Sequence, residues 1–384
     1  MTGFAGEYLA ALAIFLLIVG YYAAERLRHE HNLGRIPLRI HVNGTRGKSS
    51  VARLIAAGLR AGGQTVVAKT TGSAARVILP DGSERPMARR GPANIRELVP
   101  FIAEAADLGA GAVVVECMAV RPELQRFVEE KLVKAHIGVI TTVRPDHEEV
   151  TGGGPDVARA LAGAIPRLGT LVTTPTAMAA LTVAGVAPAG SVRLAAPEDV
   201  PPEDIAAFPY EAFPENVALA LAVCELAGVD RAVALRGMRS ARPDPGNVTV
   251  SEYAAADRTI TLVNALAAND PESTSILWQR YADGRAPVIL LNCRPDRKYR
   301  TVQLAAALAA LHRGPYLVTG DGAFARRQLI SQGVAAADIR VIARPASPAD
   351  LAGAAGGGRL TIFATGNVQG LESFLDCRTA GVNS

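Results

Sequence analysis

The segment Ile40-His41-Val42-Asn43-Gly44-Thr45-Arg46-Gly47-Lys48-Ser49-Ser50 constrains the fold more than any other stretch of the chain. An apolar run, Leu38 to Val42, feeds a glycine-bracketed turn that carries one lysine. Apolar positions at Val51, Leu54, Ile55 and Leu59 then recur at helical spacing. In a strand–turn–helix of this kind, the backbone N–H groups of the turn and of the helix N-terminus converge on phosphate oxygens. Lys48 then neutralises β/γ-phosphate charge, and the Ser49 hydroxyl is a ligand for Mg²⁺. The general phosphate-loop spelling has glycine five places before Gly47, where this chain has Val42, so the match is to the shorter G-T-x-G-K-[ST] form. A glycine-rich connector without function is the bland alternative.

From Ile36 onward, strand and helix patterns alternate. Strands are expected at Leu38–Val42, Thr65–Ala68, Ala112–Val115, His136–Ile140 and Thr170–Thr173, with helices around Ser49–Ala61, Ile95–Asp107 and Val157–Ile165. That alternation argues for a parallel sheet covered on both faces. Val186–Pro214, rich in Pro and Ala, reads as an irregular lobe with one short possible strand, and Asn216–Ala227 as a helix. The turn-rich Arg242-Pro243-Asp244-Pro245-Gly246 marks a domain boundary. A second alternating block follows, with strands at Thr259–Val263, Pro287–Leu291, Tyr316–Val318, Ile339–Ile342 and Leu360–Ala364, a smaller doubly wound domain. The expected domains are residues 1–33, 34–240 and 241–384.

Tyr8 to Ala24 contains no charged residue. As a helix it reaches roughly 26 Å, or about 31 Å if extended back to Phe4, enough to cross a bilayer. No basic residue precedes it, whereas Arg26, Arg28, Arg35 and Arg39 follow, which sets the N-terminus outside and the remainder in the cytoplasm. A cleaved signal peptide would need a basic leading segment, which is missing. A buried core helix is the competing reading. The cysteines Cys117, Cys224, Cys293 and Cys377 lie far apart without a C-x-x-C pair, as reduced cytosolic thiols do. A net charge of +4 is too slight to imply nucleic-acid binding, and no motif that reads RNA or DNA is present.

Gly44-Thr45-Arg46-Gly47-Lys48-Ser49 resembles the ATP loop of the Mur ligases and folylpolyglutamate synthases, which join a carboxylate to an amine. Later segments repeat the resemblance in order. Val113-Val114-Val115 ends in Glu116, where that family places an acidic Mg²⁺ ligand; a charged residue capping a strand is the alternative. Thr141-Thr142-Val143 leads to Asp146-His147, similar to the family's T-N-x-x-x-D-H signature, whose histidine binds a second Mg²⁺. Beside Asp146, His147 is a ligand, an orienter or a contact to an acyl phosphate. Glu215-Asn216-Val217-Ala218 resembles the H-N-x-x-N-A helix start, whose first asparagine reads adenine. The resemblance implies an α/β fold with an N-terminal transmembrane helix, a P-loop Mur-ligase-like central domain and a smaller Rossmann-like C-terminal domain.

In the second block, Asn264-Ala265-Leu266-Ala267-Ala268-Asn269-Asp270-Pro271 sits where these ligases carry D-x-x-A-H-N-P, which touches ribose and the amine substrate. Asn264 replaces the aspartate, while Asn269, Asp270 and Ser273 are candidates for an amino-acid substrate. Arg242, in the linker, is grouped with the nucleotide contacts. Arg294, Arg297, Lys298 and Arg300 cluster after a strand and suit carboxylate recognition, or form a solvated basic turn. Between the second strand and Ile95 lie Thr70, Thr71, Gly72 and Ser73, then Arg76, Arg85, Arg89, Arg90 and Arg96. The first four face the phosphate edge in the family, and the arginines could grip an acidic polymer end.

Two departures narrow the resemblance. The chain has no room before Gly44 for the uridine-nucleotide domain of Mur ligases proper, and no lysine between Lys134 and Lys298 that could be carbamylated as in most of them. With the anchor and the Asn-Asp-Pro spelling, the chain resembles the poly-γ-glutamate synthase branch. That branch implies ATP and Mg²⁺ as cofactors, glutamate and a growing poly-γ-glutamate as substrates, integral-membrane synthase or export subunits as partners, and an oligomer. The implied chemistry is phosphorylation of a γ-carboxylate followed by amine attack. Lys48, Glu116 and His147 are then catalytic, and Ser49, Glu116 and His147 bind metal. A folate-type glutamate ligase and a membrane-anchored regulatory or transport ATPase are the rival readings.

Overall fold

The structure is a computed structural model that describes residues 2–71, 75–89, 91, 93–144, 155–244, 247–255, 258–268, 270–282, 287–345, 347, 350–351, 360–371 and 374. The chain divides into two compact units, Met1–Pro243 and Asp244–Ser384.

The first unit is built on β1 (Leu38–Asn43), β2 (Val66–Thr70), β3 (Arg76–Ile78), β4 (Glu84–Pro86), β5 (Ala112–Glu116), β6 (Ile137–Ile140), β7 (Thr170–Thr173) and β8 (Ser191–Leu194), in the order β4-β3-β2-β5-β1-β6-β7-β8. β1 lies between β5 and β6 and runs parallel to both, with Val42 opposite Glu116 and Asn43 opposite Ile140. The chain leaves β1 to build one side of the sheet and later returns to build the other. The carboxyl end of β1 is therefore a topological switch point, where open α/β sheets hold ligands.

The helices are α1 (Thr2–Gly34), α2 (Lys48–Ala61), α3 (Leu98–Asp107), α4 (Pro122–Phe127), α5 (Pro155–Leu161), α6 (Pro175–Val183), α7 (Pro202–Ala206), α8 (Pro214–Leu226) and α9 (Arg231–Arg239). Strand alternation sorts them onto two faces. Ile40, Val42, Ala68 and Val114 pack with Leu54, Ile55, Val217, Leu221 and Met238 of α2, α8 and α9. Val67, Val113 and Val115 turn the other way, onto Phe101 and Ile102 of α3 and onto Val128 and Val133 of a π-helical turn.

The apolar N-terminal stretch is part of a longer helix. Residues 8–24 of α1 are solvent-exposed in the folded chain, and Glu7–Gly34 is long and apolar enough to cross a membrane. The same helix runs on without a break and docks on the sheet domain. Glu25 meets Arg96 at 2.8 Å, Glu30 meets Lys134 at 2.6 Å, and Leu33 is buried in the α3 layer.

The second unit has β9 (Thr249–Ala255), β10 (Arg258–Ala265), β11 (Val288–Cys293), β12 (Tyr316–Gly320), β13 (Ile339–Val341) and β14 (Leu360–Thr365), in the order β13-β12-β11-β14-β10-β9, with β9 antiparallel. Its helices are α10 (Pro271–Tyr281), α11 (Lys298–Leu311) and α12 (Gly322–Ser331).

The structure adds β3, β4 and β9 to the strands expected from the sequence, and β8 is the short strand expected within Val186–Pro214. β3 pairs antiparallel with β2 and β4 antiparallel with β3, so Arg76 and Arg85 stand on strands rather than in a basic loop. β4, β8 and β9 are edge strands: β8 is exposed along its whole length and β4 ends in a proline. An edge strand lacks the long apolar run by which a central strand is recognised. The segment expected as an irregular lobe contributes β8, α7 and the N-terminus of α8.

Candidate active site

The turn after β1 is held open by its own backbone. Gly44 and Gly47 have φ of 135° and 83°, and Gly47 in its left-handed conformation is the N-cap of α2. That region favours glycine because a Cβ is crowded there. The packing excludes a side chain as well: a Cβ on Gly44 would overlap the Thr141 hydroxyl, and one on Gly47 would come within 2.5 Å of Asn216 Oδ1. The residues after β6 brace the turn. Thr45 N donates to Thr142 O at 3.0 Å, Arg46 N donates to Thr142 Oγ1 at 2.9 Å, and the Thr141 hydroxyl donates to Arg46 O. Lys48 Nζ lies 2.6 Å from Gly44 O and so curls over the turn. Ser49 and Ser50 are half-buried in the first turn of α2.

Glu116 ends β5 beside this turn and is 2% exposed. Its Oε2 accepts from Ser49 Oγ at 2.8 Å and from Thr71 N at 2.6 Å. One carboxylate thus joins the helix start, the end of β5 and the end of β2. The pair of oxygens from Ser49 and Glu116 is a hard-donor set suited to Mg²⁺, which takes few protein ligands and leaves room for water and phosphate oxygens. Among the described residues no group of three His, Cys, Asp or Glu side chains converges as a closed metal site. Asn216 enters from α8 and lies over Gly47.

Lys69, which the sequence reading passed over, is fully buried on β2 in the register position facing Val115. Its ammonium stands 3.5 Å from Glu97 and 3.8 Å from Met118 Sδ. Burial lowers its pKa, while Glu97 and Glu116 act the other way. Arg89 grips the same Glu97 with Nε at 2.8 Å and Nη2 at 3.3 Å. The sequence signal was a lysine set in the apolar run Val66-Val67-Ala68. A wholly buried lysine is uncommon unless paired.

Behind β1, on the α3 face, His41 Nδ1 and Glu129 Oε2 form a buried pair at 2.8 Å, and Asn43 Nδ2 donates to Gln125 Oε1 at 2.7 Å. Burial opposes the His41 charge, but the Cys117 thiol and the Glu129 carboxylate favour it by more. The balance pushes its pKa up to about 10.

The remaining candidates are spread differently. Arg85 is paired with Glu104 and Arg96 with Glu25. The carbonyl of Arg242 lies 3.5 Å from Arg53 Nη1. In the second unit, Asn264 is buried at the end of β10, where its Oδ1 accepts from Leu266 N at 3.2 Å and its Nδ2 finds no partner among the described residues. Asp270 is the N-cap of α10 through Ser273 N at 2.9 Å. Arg294 is paired with Asp296, and Arg297 is half-buried at the start of α11. Gly72, Ser73, Arg90, Asp146, His147 and Asn269 lie outside the described residues.

A phosphate-shaped turn at the switch point of a mostly parallel sheet, followed by a second α/β unit, places the chain in the Mur ligase class, and the Mur ligase middle-domain profile matches residues 42–163. The profile of the poly-gamma-glutamate synthase CapB C-terminal domain matches residues 250–378. The capsule biosynthesis protein CapB of Bacillus anthracis is 40% identical over 302 residues, covering 76% of this chain and 64% of that protein. The PGA synthase CapB of Bacillus subtilis (strain 168) is 38% identical over 299 residues, covering 76% and 75%. Among solved structures, the Mycobacterium tuberculosis folylpolyglutamate synthase complexed with ADP and AMPPCP aligns at a TM-score of 0.67 and 19% identity, over 96% of this chain and 98% of that one. The chain belongs to the CapB family of poly-gamma-glutamate synthases.

Proposed function

We propose that this chain is an ATP-dependent amide ligase that extends poly-γ-glutamate through γ-carboxyl linkages. The observation that carries the reading is the carboxylate of Glu116, held between Ser49 Oγ and Thr71 N at the open end of the turn that contains Lys48. Nucleotide phosphates would lie on the backbone N–H groups from Gly44 to Ser49, with Asn216 above them. Mg²⁺ would be held by Ser49 and Glu116 and would supply charge neutralisation across the phosphates. Residues near the phosphates then act by position and charge, because phosphoryl transfer needs little covalent help from the protein. A carboxylate is a poor acylating group near neutral pH. Conversion to an acyl phosphate gives the amine of the next glutamate a leaving group to displace, with phosphate departing as the amide forms.

The same reading sets α1 in the cell membrane as a single span, with both units on the cytoplasmic side. Exposed apolar residues from Tyr8 to Tyr22, and arginines only after the span, support that orientation. Integral-membrane subunits would take the polymer outward. His147, Gly72, Ser73 and Asn269 remain candidate contacts to metal or substrate.

The test is release of ADP and phosphate with and without glutamate, followed by mass analysis of the product. Glutamate-dependent release with a ladder of γ-linked oligomers, lost in Lys48→Ala, is the expected result. Hydrolysis indifferent to glutamate, with no amide product, would overturn the reading in favour of an ATPase.

A further inference from the structure

Lys69, Glu97 and Arg89 form a charged cluster on the α3 face of the sheet, at the same carboxyl-terminal edge as Glu116. Lys69 is 0% exposed, yet its ammonium has only a carboxylate oxygen at 3.5 Å and a thioether at 3.8 Å within reach among the described residues. An ammonium carries three donors, so this one has capacity for a further acceptor. Arg89, 30% exposed, brings a planar fork to the other side of Glu97. Two cations share a single carboxylate, Lys69 from the buried side and Arg89 from the exposed side. Glu116 acts on the Lys69 charge, but it is bound to Ser49 and Thr71, on the side where the phosphates are expected. A buried ammonium with so few close acceptors is costly unless a further acceptor completes it.

We propose that Lys69 and Arg89 form a binding site for a non-reacting carboxylate of the anionic chain end, namely the α-carboxylate of the residue whose γ-carboxyl is activated. The inference rests on the ligase reading above. In a γ-linked chain every residue keeps a free α-carboxylate, so the recognised group is always present at the end. The group held here is not the one that reacts, because a carboxylate pinned by two cations is a weak nucleophile toward phosphorus. Binding energy gathered at the α-carboxylate instead orients the γ-carboxylate toward the phosphate edge. Glu97 sets the spacing of the two cations. It also belongs to the capping box of the helical turn at Ile95–Glu97, next to Arg96, which meets Glu25 of α1.

The experiment compares oligo-γ-glutamate acceptors whose terminal residue carries either a free α-carboxylate or an α-carboxamide. It uses the full chain in detergent or nanodiscs, with ATP-analogue binding measured in parallel. The parent should favour the acid-terminated acceptor by roughly tenfold or more in kcat/KM, as buried charge-assisted contacts do. In Arg89→Gln and in Lys69→Met that preference should fall toward unity, chiefly through a higher KM for the acid, with ATP-analogue affinity unchanged. If both variants keep the parental preference, or lose activity equally on both acceptors at unchanged KM, the site is a structural brace and the proposal is wrong. Arg89 is partly exposed, so its variant carries the test if Lys69→Met fails to fold. A parent that makes no amide with either acceptor would instead refute the ligase reading itself.

Discussion

The buried pair behind β1 offers a direct test of how the phosphate turn is supported. His41 and Glu129 are 0% and 6% exposed and meet at 2.8 Å, and the second oxygen of Glu129 accepts from Ala135 N at 2.9 Å. Glu129→Gln keeps the shape and removes the charge. Severing one partner of a buried pair costs about 3–5 kcal/mol. Linkage sets a ceiling: a rise from 6.5 to about 10, to which Cys117 contributes first and Glu129 second, is worth at most roughly 4–5 kcal/mol at about 1.36 kcal/mol per pH unit, and Glu129 supplies only part of it. The folded-state pKa is raised, so this stabilisation is complete below pH 6.5 and is lost as the pH climbs toward 10. For a unit of this size, about 3–5 kcal/mol corresponds to a fall in Tm of roughly 6–20 °C. Thermal unfolding of the full chain in detergent, followed by circular dichroism from pH 6 to 10, should show two things. The parent loses stability steadily over that window. The variant starts lower and shows a shallower slope, because the contribution of Cys117 remains. A variant within about 1 kcal/mol of the parent at pH 7, or one with the parental pH slope, would refute the argument that the ring is charged in the fold.

Gly47→Ala should weaken ATP-analogue binding by at least about tenfold, because the new methyl meets Asn216 in a residue with φ of 83°. Gly63→Ala, with φ of 84° and open space around it, is the matched control: calorimetry should find its nucleotide affinity unchanged. Ser49→Ala and Glu116→Gln should each lower kcat by about 10²-fold and raise the metal concentration needed for half-maximal rate. A loss of rate at an unchanged metal requirement would remove both residues from the metal site. Leu16→Asp, in the exposed apolar part of α1, adds about 2.5–3.5 kcal/mol to membrane insertion and should move the protein from the membrane pellet toward the soluble fraction.

Sequence pattern made the central strands readable because they are buried on both faces. Ala112–Val115 and Thr170–Thr173 are short apolar runs between turn residues, Leu38–Val42 alternates Leu, Ile and Val with Arg39 and His41, and each emerges as a strand within a residue or so. The turn from Gly44 to Ser49 was readable for a different reason: its glycines answer a backbone demand that only they meet without strain. The Lys69–Glu97–Arg89 cluster had no such signature. Its members sit twenty and eight residues apart and converge only because β3 and β4 fold back antiparallel, returning the chain to the sheet edge before α3. Those two strands are only three residues each, β4 at the edge ending in Pro86, and are too short to carry the apolar run of a central strand. The site's charge balance therefore depends on the part of the fold that local pattern specifies least. A search for acceptor-binding residues should start from buried charges on central strands, such as Lys69, rather than from runs of surface arginine. Arg85 and Arg96 are already paired with Glu104 and Glu25, and an exposed ion pair contributes at most about 1 kcal/mol. Lys69 has no solvent to share its charge, and the expense of burying it argues that a ligand completes its coordination.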